Sequence, residues 1–194
     1  PWTHVIANER EYGVVLNNEG EIYSFMGNSQ QNGITPFSLN NVPVQVPGQA
    51  LYLYNMETGA LDGPTFLPFR RIDEPCDITF GRGYAVYRKE TTDVDLEYTI
   101  FVPPHEPAEV RQLKIKNKSS RTMTYRVVPY LQIMLGEIPS DTRGKISAEY
   151  DESTQALFFS NPQNDFYRGT AFVATSLKVL AYETVRSRFV GGNG

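Results

Sequence analysis

Side chains suited to moving protons, holding metals or attacking carbon are few in this sequence. There are two histidines, His4 and His105, far apart along the chain, and one cysteine, Cys76. No pair of them has the spacing of a zinc site. No Gly-x-Ser-x-Gly elbow lifts a serine, and two isolated histidines make no specific Ser-His-Asp set. His105 follows Pro104 and precedes Glu106 and Pro107, the composition of a surface turn. Cys76 reads as a small, semi-buried packing residue. Asp93, Asp95 and Glu97 recur at every second position. On a strand they lie in a row and do not wrap a cation, so a solvated face is the better reading. Glu74, Asp77, Asp141, Asp151 and Glu152 could serve sugar hydrolysis only if two faced one cleft, one with a raised pKa. Nothing in their spacing pairs any two. Gly81 to Tyr84 contains a Gly-x-Gly without a third glycine or a following helix, so it is no phosphate cradle and marks a bulge or a close backbone approach. No cofactor and no metal is expected.

One stretch remains. Residues 27–37 read GNSQQNGITPF, with Asn28, Ser29, Gln30, Gln31 and Asn32 in a row and no charge. Amides and hydroxyls both donate and accept, so they match sugar hydroxyls without charging the site. An aromatic face stacks on sugar C–H groups, and Trp2, Tyr23 and Phe37 are candidates. Set against this, Asn32-Gly33 is a hairpin turn signal, and Asn28 and Ser29 are ordinary turn residues. On composition alone, the loop reading wins.

The elements that must position these residues are strands. In DVDLEYTIFVPP, Val94, Leu96, Tyr98, Ile100 and Val102 share one face, while Asp93, Asp95, Glu97 and Thr99 share the other. That is a half-buried strand ended by Pro103 and Pro104. EYGVVLNNEGEIYSF reads as a hairpin turning at Asn17 to Gly20. ALYLYN, FGRGYAVYRKE, EVRQLKIKN, MTYRVVPYLQIML, GKISAEYDE, ALFFSN and GTAFVATS continue the series. Pro129 marks an edge or a bulge in its strand. No segment repeats apolar residues with helical period between caps. With 12 Tyr, 11 Phe, 13 Pro and 15 Gly among 194 residues, an all-β sandwich in one domain spanning 1–194 is the economical architecture. The net charge of −4 argues against nucleic acid and anionic membrane as partners. A single thiol excludes an internal disulfide and favours a reducing compartment. No apolar run is long enough to span a membrane, and no signal peptide is visible.

Taken in order, several pieces make a string: Pro1-Trp2 with Val5 to Asn8, Gly13, Gly27 to Ser29, Asn32, Thr35-Pro36 and an aromatic, Asn40, Pro47 to Leu53, and Thr58-Gly59. Pro64-Thr65, Pro68, Gly81 to Tyr84, Thr99 to Pro104, Leu113 with Asn117, and Tyr130 to Gly136 follow. The ordered set resembles the N-terminal β-sandwich of the glycoside hydrolase family 94 phosphorylases, formerly glycosyltransferase family 36, with the nearest likeness to cyclic β-1,2-glucan synthases. It covers most of the chain. The resemblance implies a large antiparallel supersandwich of the galactose-mutarotase-like kind, here a truncated N-terminal part of a larger enzyme. In that family a helical linker and an (α/α)6 barrel follow. The barrel holds the general-acid aspartate, and inorganic phosphate attacks the anomeric carbon with inversion. The chain is therefore expected to be an accessory, non-catalytic domain that walls a substrate cleft and aids assembly. The implied partners are a β-glucan or other oligosaccharide, the catalytic helical barrel of the same parent chain, and a second copy in a homodimer. Inorganic phosphate is implied for the parent enzyme alone. The expected location is cytoplasmic, with inner-membrane association of the parent left open.

By the same resemblance, Asn28, Ser29, Asn32 and Thr35 match the family's polar stretch. Gln30, Gly33 and Phe37 stand where two arginines and a tryptophan are usual, which removes two rigid bidentate donors. The expected carbohydrate-contacting set is Asn28, Ser29, Gln30, Asn32, Thr35, Phe37 and Trp2. Two other functions stay open. One is a self-sufficient carbohydrate-binding module. The other is an aldose mutarotase-like enzyme, whose chemistry wants a histidine and a glutamate at one sugar site.

Overall fold

The computed structural model describes residues 2–36 and 48–191. Its first strands are β1 (Thr3–Ala7), β2 (Tyr12–Asn17), β3 (Ile22–Met26), β4 (Gln49–Asn55) and β5 (Leu61–Asp62). A second run gives β6 (Cys76–Gly81), β7 (Tyr84–Glu90), β8 (Val94–Phe101), β9 (Val110–Asn117) and β10 (Tyr125–Leu131). Then come α1 (Pro139–Thr142), β11 (Ser147–Asp151), β12 (Ala156–Ser160), β13 (Thr170–Val173) and α2 (Arg186–Val190). The chain is all-β, as the alternation requires, and the paired strands run antiparallel. They form four sheets: β1-β2-β3, β10-β4-β5, β6-β7-β8-β9 and β11-β12-β13.

The core lies where the first and third of these sheets meet. Ile6, Val14, Leu16 and Ile22 pack against Ala85, Tyr87, Tyr98 and Ile100. Each fully buried aliphatic side chain there contributes about 2 kcal/mol. β8 shows the cause most plainly, because buried and half-buried residues alternate along its whole length. Its inward row is Val94, Leu96, Tyr98 and Ile100. The hairpin at Asn17 forms as expected. Asn17 Oδ1 accepts the amides of Glu19 at 3.0 Å and Glu21 at 2.9 Å, and the buried Tyr87 hydroxyl donates to the Asn17 carbonyl at 2.7 Å. Among the described residues β10 pairs with β4 alone, so Pro129 lies on an edge strand, where a missing amide is tolerated. Gly81 to Tyr84 closes the β6–β7 hairpin rather than a bulge. Gly81 pairs with Tyr84, and Gly83 takes the left-handed φ of 85° that the turn needs.

A charged group also enters the core row of β7. Lys89 is 3% exposed, and its Nζ lies 2.7 Å from Asp62 Oδ1 and 2.6 Å from Glu74 Oε2. Arg71 stands 3.3 Å from Glu74 on the outside. Burial opposes ionisation of Glu74, but the adjoining Lys89 and Arg71 outweigh it and hold the carboxyl below its ordinary pKa.

Candidate functional site

The amide stretch leaves β3 as a tight, self-bonded loop. Gly27 adopts φ 73° and donates its amide to the Glu11 carbonyl at 2.8 Å. Asn28 Oδ1 then accepts the amides of Gln30 at 2.8 Å and Gln31 at 3.2 Å, an Asx turn of the kind asparagine favours. The Asn28 carbonyl accepts the Asn32 amide at 2.9 Å. The Tyr23 hydroxyl, pushed up to about 12 by burial, donates to the Ser29 carbonyl. Asn28, Ser29, Gln30 and Gln31 therefore stand exposed on a braced turn.

Asn32 and Thr35 point the other way. Asn32 is 3% exposed. Its Nδ2 donates to the Met26 carbonyl at 3.0 Å, and its Oδ1 accepts from Asn164 Nδ2 at 2.8 Å. Asn164 also donates to the Leu135 carbonyl at 3.0 Å. Gly33 bridges across to Gly136 through amide–carbonyl bonds of 2.9 and 3.1 Å. Thr35 is fully buried, and its Oγ1 accepts from the Ser24 amide at 3.2 Å and from Gln49 Nε2 at 2.6 Å. These two residues shape the loop from beneath.

Beneath the loop runs a polar chain that the sequence did not reveal. Gln49 Nε2 also donates to Ser24 Oγ at 2.8 Å, and Ser24 Oγ donates to Glu109 Oε2 at 3.0 Å. Glu109 in turn receives Arg111 Nη2. Burial works against the charge on Arg111, but Glu109 beside it outweighs this and raises the guanidinium pKa. Burial, aided by Glu109, likewise raises the Tyr12 phenol. Glu109 and Arg111 are two apart, so they share one face, which was legible. Their meeting with β3 and β4 depends on strand register across the sandwich, which was not.

Ser29, Gln30, Glu109 and Arg111 all line one open trough of about 3370 Å³. Its lining also includes Val127 of β10 and Phe159 of β12. The trough holds amide, carboxylate and guanidinium groups beside apolar surface, so it can hydrogen-bond a neutral polyol and cover its C–H faces.

Trp2 is not part of this grouping. It is 81% exposed, with its amide on Asn18 Oδ1 at 2.9 Å. Trp2 lies level with Asn18, while the loop starts at Gly27, level with Glu11, so the sheet places them at opposite ends, roughly 23 Å apart at about 3.3 Å per residue. Phe37 lies outside the described residues. His4 stacks on Phe80 and its Nε2 lies 3.0 Å from the Gly81 carbonyl. His105 pairs with Glu9 at 2.6 Å on an exposed surface. Burial pushes the Cys76 thiol up to about 11, so it is no nucleophile at neutral pH.

Comparison with known proteins bears on this arrangement. The family model described as "Glycosyl hydrolase 94, supersandwich domain" matches residues 1–194. Cyclic beta-(1,2)-glucan synthase NdvB of Rhizobium meliloti (strain 1021) is 31% identical over 195 residues, covering 100% of this chain and 7% of its own length. The N,N'-diacetylchitobiose phosphorylase of Vibrio proteolyticus is 25% identical over 201 residues, covering 98% of this chain and 24% of its own. Solabiose phosphorylase of Paenibacillus borealis is 23% identical over 149 residues, covering 74% and 19%. The chain thus spans a quarter or less of the length of these relatives. With a match along all of its residues and an all-β antiparallel fold to accompany it, the chain belongs to the glycosyl hydrolase 94 supersandwich family.

Proposed function

We propose that this chain is the accessory carbohydrate-associated domain of a β-glucan phosphorylase or cyclic β-1,2-glucan synthase, with the bond-breaking chemistry performed elsewhere in the parent enzyme. It lines the substrate cleft and helps assembly. The observation that carries the reading is the full-length supersandwich match together with relatives that are a glucan synthase and disaccharide phosphorylases. The exposed amides of Asn28, Ser29 and Gln30 at the trough rim are the groups that meet sugar hydroxyls, while Asn32 and Thr35 hold the loop in place. Trp2, remote from that rim, is a separate stacking face. The domain acts in the cytoplasm. Among the described residues, no helix is long and apolar enough to cross a membrane.

The test is to supply the chain with inorganic phosphate and β-1,2-glucan and to assay glucose 1-phosphate. The expected outcome is no turnover by this chain; saturable turnover overturns the accessory reading. A self-sufficient binding module is the second reading, favoured by the braced and exposed position of Gln30. Calorimetric heat on titration with a glucan panel supports it, and no heat across the panel counts against it. A mutarotase-like enzyme ranks last, since His4 and His105 bond away from the trough; unchanged anomerisation by polarimetry disposes of it.

A further inference from the structure

We propose that Asn32-Gly33 is a latent self-modification site. The clamp made by Met26, Asn164 and Gly136 holds it unreactive, and opening of the clamp exposes it to an irreversible deamidation that prevents reclosure. Asparagine followed by glycine is the dipeptide most prone to this reaction, because no side chain hinders the glycine nitrogen. The Gly33 nitrogen, its proton taken by hydroxide, attacks Asn32 Cγ. The Cγ–Nδ2 bond breaks and ammonia leaves. Water then opens the resulting succinimide at one carbonyl or the other, giving aspartate or isoaspartate at position 32.

Both reacting groups are pinned, and by different segments of the chain. Asn32 is buried, its Nδ2 donating to the Met26 carbonyl at 3.0 Å and its Oδ1 accepting from Asn164 Nδ2 at 2.8 Å. The Gly33 nitrogen donates to the Gly136 carbonyl at 2.9 Å, and the Gly136 nitrogen donates back at 3.1 Å. Attack requires the Asn32 side chain to turn toward a free Gly33 nitrogen, so these bonds must open first. Packing nevertheless keeps the labile pair in place. A Cβ on residue 33 would stand 2.4 Å from Met134 Cε and 2.9 Å from the Tyr23 hydroxyl, which selects glycine, while the two buried bonds select asparagine before it. Neither product fits the closed clamp. In aspartate, a carboxylate oxygen faces the Met26 carbonyl, acceptor against acceptor, and a charge is buried. In isoaspartate, the chain gains a methylene between the Asn32 Cα and Gly33. The Asn32 amide bond to the Asn28 carbonyl and the Gly33 bridge to Gly136 then no longer keep their spacing.

The test incubates the chain at mildly alkaline pH, folded and in guanidinium chloride, and follows deamidation at Asn32 by peptide mapping. Asn193-Gly194, the same dipeptide outside the described residues, falls on a different tryptic peptide. The reaction at Asn32 is expected to be at least about a hundredfold slower in the folded chain than in the unfolded one. Asn164→Asp keeps an oxygen for the amides of Phe166 and Tyr167 but removes the donor to Asn32. It is expected to speed the folded-chain reaction by about tenfold or more and to leave the unfolded-chain rate unchanged. Lys89→Met weakens the fold elsewhere and so separates clamp opening from global unfolding. Equal rates in the folded and unfolded chain, no acceleration by Asn164→Asp, or an equal acceleration by Lys89→Met overturns the proposal. The deamidated chain, separated by its added negative charge, is expected to exchange the Gly33 and Gly136 amides about tenfold faster than the native chain. Unchanged exchange also overturns it. If Asn164→Asp fails to fold, Asn164→Ala takes its place, and the rate ratio and the exchange of the deamidated chain decide without either variant.

Discussion

At the scale of single residues, the amide-rich loop divides into side chains that face solvent and side chains that hold the fold. Asn32→Ala removes the acceptor of Asn164, a buried bond, and the donor to the Met26 carbonyl, a partly buried one. It should cost about 2 kcal/mol in a denaturant melt. Gln30→Ala, exposed and bonded only through its backbone among the described contacts, should change stability by less than about 0.5 kcal/mol. A loss of glucan affinity in Gln30→Ala is thus a clean report on contact. The same loss in Asn28→Ala would mix contact with a loosened turn, because Oδ1 braces two amides. Sequence could not separate these roles. Asn28 and Asn32 are identical in type, and the group that buries Asn32 is Asn164, 132 positions away.

At the scale of elements, alternation was legible and register was not. The row Val94, Leu96, Tyr98 and Ile100 could be read directly, and the structure buries it. In FGRGYAVYRKE the same rule puts Lys89 in the core row after Ala85 and Tyr87, but only the approach of Asp62 and Glu74 explains why a lysine is tolerated there. Lys89→Met strands two carboxylates and should cost about 3 kcal/mol. The pH dependence has a definite sign. Glu74 has a lowered folded-state pKa, so its stabilising share is present above the unfolded carboxylate range and is lost as pH falls through the folded value. Melting temperature should therefore drop in acid, and Glu74→Gln should flatten that part of the profile. Gly33→Ala tests the loop's seat. A Cβ there would stand 2.4 Å from Met134 Cε and 2.9 Å from the Tyr23 hydroxyl. A loss of about 2 kcal/mol is expected from the shifts this forces.

At the scale of the molecule, the β1-β2-β3 and β6-β7-β8-β9 sheets share the main core, a smaller cluster gathers around Leu53, Val94 and Leu96, and a broad trough is left open. The exposed side chains around it and beyond include Tyr167, Leu177, Tyr182 and Phe189. A folded chain with that much open apolar surface should bind a hydrophobic dye such as ANS under native conditions, with near-UV circular dichroism still intact. An absence of dye binding would mean that the trough is closed in solution. The trough was invisible to sequence reading because each strand beside it alternates like its neighbours, and what differs is which faces find a mate. Across this opening, the side-chain bond from Asn164 to Asn32 and the backbone bridge from Gly136 to Gly33 join the amide loop to the segments flanking β11-β12-β13. If a ligand on Gln30 binds two tilts of that sheet unequally, then a load that tilts the sheet changes the ligand's affinity by that same free energy.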